Sequence, residues 1–152
     1  MAAEVAYRSA PERRLVAVAL SVTLSDISET ALEIAALNAK ELQAEVTCVR
    51  SDLLQDITGT LDFIVANLPY VDRSWEVSPD IAHEPALALF ADDSGLALIK
   101  RLLSQAATHL TPHGYLLLEA DPCQHDEIIA VAKKNSYQLV VIEEYIIALS
   151  RA

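Results

Sequence analysis

Short apolar runs alternate with amphipathic stretches along most of this chain, and that alternation restricts the folds open to it. "SVTLSD" (21–26), "AEVTCV" (44–49), "LDFIVAN" (61–67) and "YLLLEA" (115–120) have the length and β-branched or leucine-rich character of buried strands. Between them lie segments of helical period. In "DISETALEIAALNAKELQ", Ser28 suits an N-cap, Glu29 opens the first turn, and Ala31, Ile34, Ala35 and Leu42 recur at helical spacing. "DDSGLALIKRLLSQAATHL" (92–110) predicts an amphipathic helix stopped by "TPHG", and "CQHDEIIAVAKKN" (123–135) another. The tail, "YQLVVIEEYIIALSR" (137–151), reads as two strands joined tightly near Glu143 and Glu144. Residues 9–20, "SAPERRLVAVAL", begin like a helix, with Ser9 as cap, Pro11 in the first turn and Glu12 at the positive dipole end. Val16, Val18 and Leu20 also alternate at strand period, and the expectation is a helix to about Leu20 followed by the first strand. Strands alternating with helices and closing on a strand pair predict a single doubly wound α/β domain over 1–152. Its sheet is expected to be mainly parallel with an antiparallel carboxy-terminal pair.

Charge and motif content narrow the partners. The formal net charge is −11 with only 11 basic residues, which argues against DNA or RNA as the main partner, because phosphate neutralisation supplies much of that affinity. No apolar run approaches the roughly 20 residues of a membrane span, and "MAAEVAYRSAPERR" lacks the pattern of a signal peptide. No membrane partner and a cytoplasmic location are therefore expected. Cys48 and Cys123 stand apart; Cys123 and His125 form a Cys-x-His pair without further ligands nearby, so no metal is expected.

In doubly wound sheets ligands bind outside the carboxyl ends of the strands. Asp26, Asp52, Asn67 and Glu119 all fall at such ends. Asp26 can accept from both hydroxyls of a ribose, or simply support the helix that begins near Ser28. Asp52, in "SDLL", can accept from an exocyclic amine, or serve as an ordinary turn residue. "NLPY" (67–70) is more specific. The Asn67 side-chain oxygen and the Leu68 carbonyl can both accept from one NH₂ group, Pro69 fixes the backbone between them, and Tyr70 offers a ring to stack on a planar amide or base. Such a cradle positions a weakly nucleophilic nitrogen for transfer chemistry. The plain alternative is a proline-containing loop.

With these pieces in order, the sequence resembles the HemK-type peptide-chain release factor glutamine methyltransferases. The resemblance runs through "DISETALEIAALNA", "SDLL", "LDFIVANLPYV", "HEPALALFADDSGLALIKRLLSQAATHLTPHGYLLLEADPCQ" and "EEYIIAL", over roughly residues 15–149. "EPALALFADDSGL" after "NLPY" distinguishes it from other amino-methyltransferases. The resemblance implies a Rossmann-like methyltransferase sheet, S-adenosylmethionine as cofactor and a release-factor glutamine as substrate. It further implies that Asp26 binds the cofactor ribose, that Asp52 and Leu53 border the adenine, and that Asn67 lies beside the transferable methyl. Asn67, Leu68, Pro69 and Tyr70 would hold the substrate amide, with Asn67, Pro69 and Tyr70 as the catalytic set; Glu84, with Pro85, marks a segment over the substrate pocket.

Three departures set further expectations. Leu68 replaces the commoner proline. The family's amino-terminal helical domain has no counterpart. Its first strand and Gly-rich turn are also missing, since no glycine precedes Gly59. In the family that strand lies mid-sheet, between those expected at 22–26 and 61–66. The gap is expected to be filled by residues 15–20 or by a second molecule, giving a marginal or self-associating chain with impaired methylation. Two other readings stand beside this one: a relic domain that binds a partner without catalysis, and an RNA adenine methyltransferase.

Overall fold

The structure, a computed structural model, describes residues 4–8, 21–76 and 86–152. Strands β1 (Glu4–Arg8), β2 (Ser21–Asp26), β3 (Val46–Arg50), β4 (Leu61–Ala66), β5 (Leu110–Glu119), β6 (Tyr137–Glu143) and β7 (Ile146–Arg151) form one sheet in the order β3-β2-β1-β4-β5-β7-β6. Helices α1 (Glu29–Glu41), α2 (Ala86–Leu89), α3 (Ala97–His109) and α4 (His125–Lys134) lie between them. β2–β3 and β4–β5 pair in parallel, while β1 and β7 run against their neighbours, so five of the seven strands share one direction. The mainly parallel sheet and the antiparallel carboxy-terminal pair are as expected.

Most boundaries follow the local chemistry. Ser28 caps α1, its hydroxyl accepting from the Ala31 N–H at 3.3 Å. The face of α1 differs from expectation: Ala31, Leu32 and Ala39 are buried, while Ile34 and Leu42 are exposed. α3 starts at Ala97, five residues later than expected, because Asp93, Ser94 and Gly95 all take left-handed backbone conformations that no α-helix accepts. Ile99, Leu102, Leu103 and Ala106 then give it a fully buried stripe. "TPHG" is not a loop but part of β5, with a register shift where Leu61–Leu110 pairing gives way to Phe63–Tyr115.

The central position is the main correction. Neither residues 15–20 nor a second molecule fills it. β1 does, antiparallel to both neighbours, with Val5 opposite Leu24 on one side and Val65 on the other. The physical reason is that unpaired backbone groups flanking a gap would each cost roughly 1–3 kcal/mol. "EVAYR" alternates suitably for a strand. An antiparallel strand also lets the chain leave β1 and enter β2 at the same edge of the sheet. The helix expected over residues 9–20 lies outside the described residues.

Register fixes the two faces. Ile64 and Leu116 are paired and face α3, in a core that includes Leu54, Leu96, Leu118, Ile147 and Leu149. Leu24 faces α1, and pairing through Val5 places Val65 on that same side. Helices thus cover both faces, but unequally. On the α1 side the stacked rings of Phe63 and Tyr115 (centroids 5.4 Å apart) and Val65 remain 37–43% exposed. Among the described residues no helix is long and apolar enough to cross a membrane.

Candidate functional site

β4 ends at Ala66, and the four residues after it divide inside from outside. Asn67 is exposed at the carboxyl edge, and its amide takes no hydrogen-bond partner among the described residues. The Leu68 side chain is buried in the core, and Pro69 is buried beside it. The side chain at 68 therefore packs inward. Tyr70 is half-buried against the same core.

Tyr70 is held at both ends. Its hydroxyl donates to Glu119 Oε1 at 3.2 Å, at the carboxyl end of β5. Burial first, and then the neighbouring Glu119 carboxylate, push this phenol up to about 12, so it remains a donor at neutral pH. Its carbonyl accepts from Gln124 Nε2 at 2.8 Å. The same nitrogen donates to the Ser94 carbonyl at 2.8 Å, and Gln124 Oε1 accepts from the Asp121 N–H at 3.1 Å. Gln124 is only 4% exposed. It closes a capping box with Asp121, whose carboxylate accepts from the Cys123 N–H, over the 3₁₀ turn Pro122–Gln124.

A second set of contacts seats the segment after "NLPY". Val71 donates to the Leu89 carbonyl at 3.0 Å and accepts from Ala91 at 3.1 Å, so the stretch following α2 lies along the cradle. Lys100 ties Asp93 (2.7 Å) to Glu127 on α4 (2.6 Å). "NLPY" and the "ALFADDSGL" part of the family-specific stretch, separated in sequence, meet here. Glu84 and Pro85 lie outside the described residues.

Asp26, at the end of β2, spends one oxygen locally: Oδ1 accepts from the Ser28 N–H at 2.7 Å and so supports the capping residue. Asp52 pairs with Arg101 on α3 at 2.7 Å. Leu53 is buried with a left-handed φ of 57°. This pairing belongs to a larger arrangement that the sequence reading missed. Arg101, Gln105 and His109, one helical turn apart on α3, grip successive parts of the β3–β4 connection. Gln105 Oε1 accepts from the Leu54 N–H at 2.8 Å, and His109 Nε2 lies 3.1 Å from the Ile57 carbonyl. The i, i+4, i+8 spacing is visible in sequence; its target is not.

Asp26, Asp52 and Asn67 therefore all lie along the carboxyl edge of the sheet, as expected. Between Asp26 and Asn67 stands β1, whose amino end, Glu4 opposite Ser25, is what reaches that edge. Glu119 was legible as a strand-end acid; its bond to Tyr70 was not. Nor was Gln124, which in sequence is only a polar residue at a helix start. Among the described residues no three potential metal-ligating side chains gather.

Comparison with known proteins bears on this edge. A family described as methyltransferase small domain matches residues 14–87. The chain is 40% identical over 135 residues to a release factor glutamine methyltransferase of Lactococcus lactis, covering 86% of this chain and 50% of that protein. It is 40% identical over 110 residues to a ribosomal protein uL3 glutamine methyltransferase of Francisella tularensis, covering 69% of this chain and 35% of the relative. It spans about half the length, or less, of such curated relatives. Among solved structures, a ribosomal protein L11 methylase of Lactobacillus delbrueckii superposes with a TM-score of 0.62 at 23% identity, covering 86% of this chain and 56% of that one. A Thermus thermophilus 16S rRNA methyltransferase in complex with AdoMet and guanosine gives 0.60 at 15% identity, covering 85% and 30%. These two establish the Rossmann-like methyltransferase fold. The sequence relatives go further: across most of its length the chain is similar to part of the HemK-type glutamine methyltransferases, and residues 14–87 match the methyltransferase small domain.

Proposed function

We propose that the Asn67–Tyr70 edge recognises the side-chain amide of a glutamine in a protein of the translation apparatus, as the substrate half of an N-methylation site. The observation that carries this reading is an exposed Asn67 amide at the end of β4, beside a rigidly seated Leu68-Pro69-Tyr70 backbone. The Asn67 Oδ1 and the Leu68 carbonyl accept the two N–H bonds of the incoming amide. Accepting both raises electron density on a nitrogen that resonance otherwise leaves poorly nucleophilic, and it fixes the direction of attack. Tyr70 supplies an apolar face, held in place by Glu119. The relatives named for release factors and for ribosomal protein uL3 support a protein substrate. The net charge of −11 disfavours the RNA adenine alternative.

The family implies S-adenosylmethionine as methyl donor. The described residues fit only part of it. Asp26 retains a second carboxylate oxygen at the edge for a ribose, and Leu53 and Asp52 lie at the end of β3, although Asp52 is already paired. A strand-to-helix turn at the centre of the edge is what would admit the rest of the donor. The central strand instead points its amino end there, and its carboxyl end, Arg8, lies opposite Ser21 at the far edge. The group does not fit whole, and no step is derived through it. This observation favours a second reading, in which the amide is bound and not methylated.

Transfer of labelled methyl from S-adenosylmethionine to a release factor or uL3, with Asn67→Ala beside the wild type, tests the first reading. The expected outcome is slow transfer abolished by Asn67→Ala, whose exposed side chain leaves the fold intact. Activity retained in that variant sinks the assigned role. Binding without any transfer selects the second reading.

A further inference from the structure

We infer that Gln124 is the positioning residue of this amide site: one buried carboxamide that sets the backbone of Asn67–Tyr70 against the Asp93–Gly95 turn. The inference rests on the function proposed for the Asn67–Tyr70 edge and assigns that site a residue which touches no substrate. The two Nε2 bonds, 2.8 Å to the Tyr70 carbonyl and 2.8 Å to the Ser94 carbonyl, join loops that leave different elements. The Asp121 N–H fixes which way the amide faces, because it needs the oxygen and so leaves the nitrogen for the two carbonyls.

The close approach it closes over is tight. Gly95 lies so near Tyr70 that an added Cβ would stand 1.9 Å from the Tyr70 oxygen and 2.5 Å from Gln124 Nε2. Without a donor between them, the carbonyls of Tyr70 and Ser94 would be left without this shared partner at the same spot. A buried acceptor without a partner costs about 1–3 kcal/mol. The nearest relief is for the backbone at 70 to swing away. That swing turns Leu68 and Asn67, two and three residues back, out of the convergence on which amide binding depends. Tyr70 would also lose its alignment on Glu119, which lies on a different strand.

The test is Gln124→Met, which keeps the volume and loses both donors, beside Gln124→Glu, which puts an oxygen against the two carbonyls. Ile128→Val, a buried change on α4, serves as a control for stability loss alone. Backbone and side-chain NMR of the full chain is read for Asn67–Tyr70 and Asp93–Gly95. Ultraviolet titration follows the Tyr70 phenol, and a short glutamine-containing peptide is titrated as ligand.

In both Gln124 variants the two segments should shift together, and the Tyr70 phenol should ionise nearer its ordinary pH of about 10. The peptide should bind at least tenfold more weakly. Ile128→Val should leave all three unchanged. If Asn67–Tyr70 resonances and the phenol titration of Gln124→Met match the wild type, the positioning role is wrong. Loss of peptide binding in the wild type with those shifts present instead counts against the proposed function and leaves the positioning role standing.

Discussion

A methyl group on Gly95 would enter space already held by the Tyr70 carbonyl, at a backbone φ of +82°. Gly95→Ala is therefore expected to destabilise the chain by about 1–3 kcal/mol from backbone strain alone, measured by urea unfolding. A change below about 0.5 kcal/mol would show that the turn relaxes freely. Two phenols give a second residue-scale test. Burial, with Glu119 next, raises Tyr70 to about 12; burial raises Tyr137, whose hydroxyl donates to the Leu103 carbonyl, to about 12. Both lie above the ordinary value near 10, so folding favours the protonated form. That contribution is complete below about pH 10 and is lost as pH rises through 12. Alkaline titration should show two delayed phenols, with one removed by Tyr70→Phe and one by Tyr137→Phe. Titration of every tyrosine at its ordinary pH would contradict the packing around both. At this scale the sequence exposed the groups that face solvent. Asn67 and Asp26 stand at strand ends and announce themselves. Gln124 and Gly95 act through backbone carbonyls of distant loops, and no local pattern names a carbonyl as a target.

At the scale of elements, legibility followed local periodicity. α1, α4 and the β6–β7 pair carry enough periodic residues to be read directly. β1 has five residues, and its place depends on the needs of β2 and β4 rather than on its own propensity. The start of α3 was misplaced because "DDSG" reads as part of its amphipathic stretch, while Asp93, Ser94 and Gly95 turn left-handed, with Gly95 against Tyr70. Two outcomes depend on β1. Ala6→Pro removes an N–H from a central strand, and each backbone group left bare costs roughly 1–3 kcal/mol. The urea midpoint should fall, and amides of β2 and β4 should lose exchange protection together; unchanged protection would mean that β1 is not their partner. Calorimetry with S-adenosylhomocysteine should give no saturable binding at micromolar concentrations, as the reversed strand offers no turn at the edge. Tight stoichiometric binding would require a different arrangement at the sheet centre.

For the whole molecule, the −11 charge dominates encounters with polyanions. No retardation of structured RNA is expected at physiological salt, and a salt-sensitive gel shift would overturn this. The self-association expected from the sequence rested on two unpaired strands, and β1 pairs both, so that ground for it is gone. The reversed strand has a consequence in time as well as in shape. β1 is the strand through which β3-β2 meets β4-β5-β7-β6 among the described residues. Its contacts with β4 join positions about sixty residues apart, whereas β6 and β7 close on each other across a two-residue turn. Loop-closure entropy delays the longer contact. The two parts of the sheet can therefore form early and separately, and the seam between them closes last, so the speed limit for refolding lies in a strand of five residues.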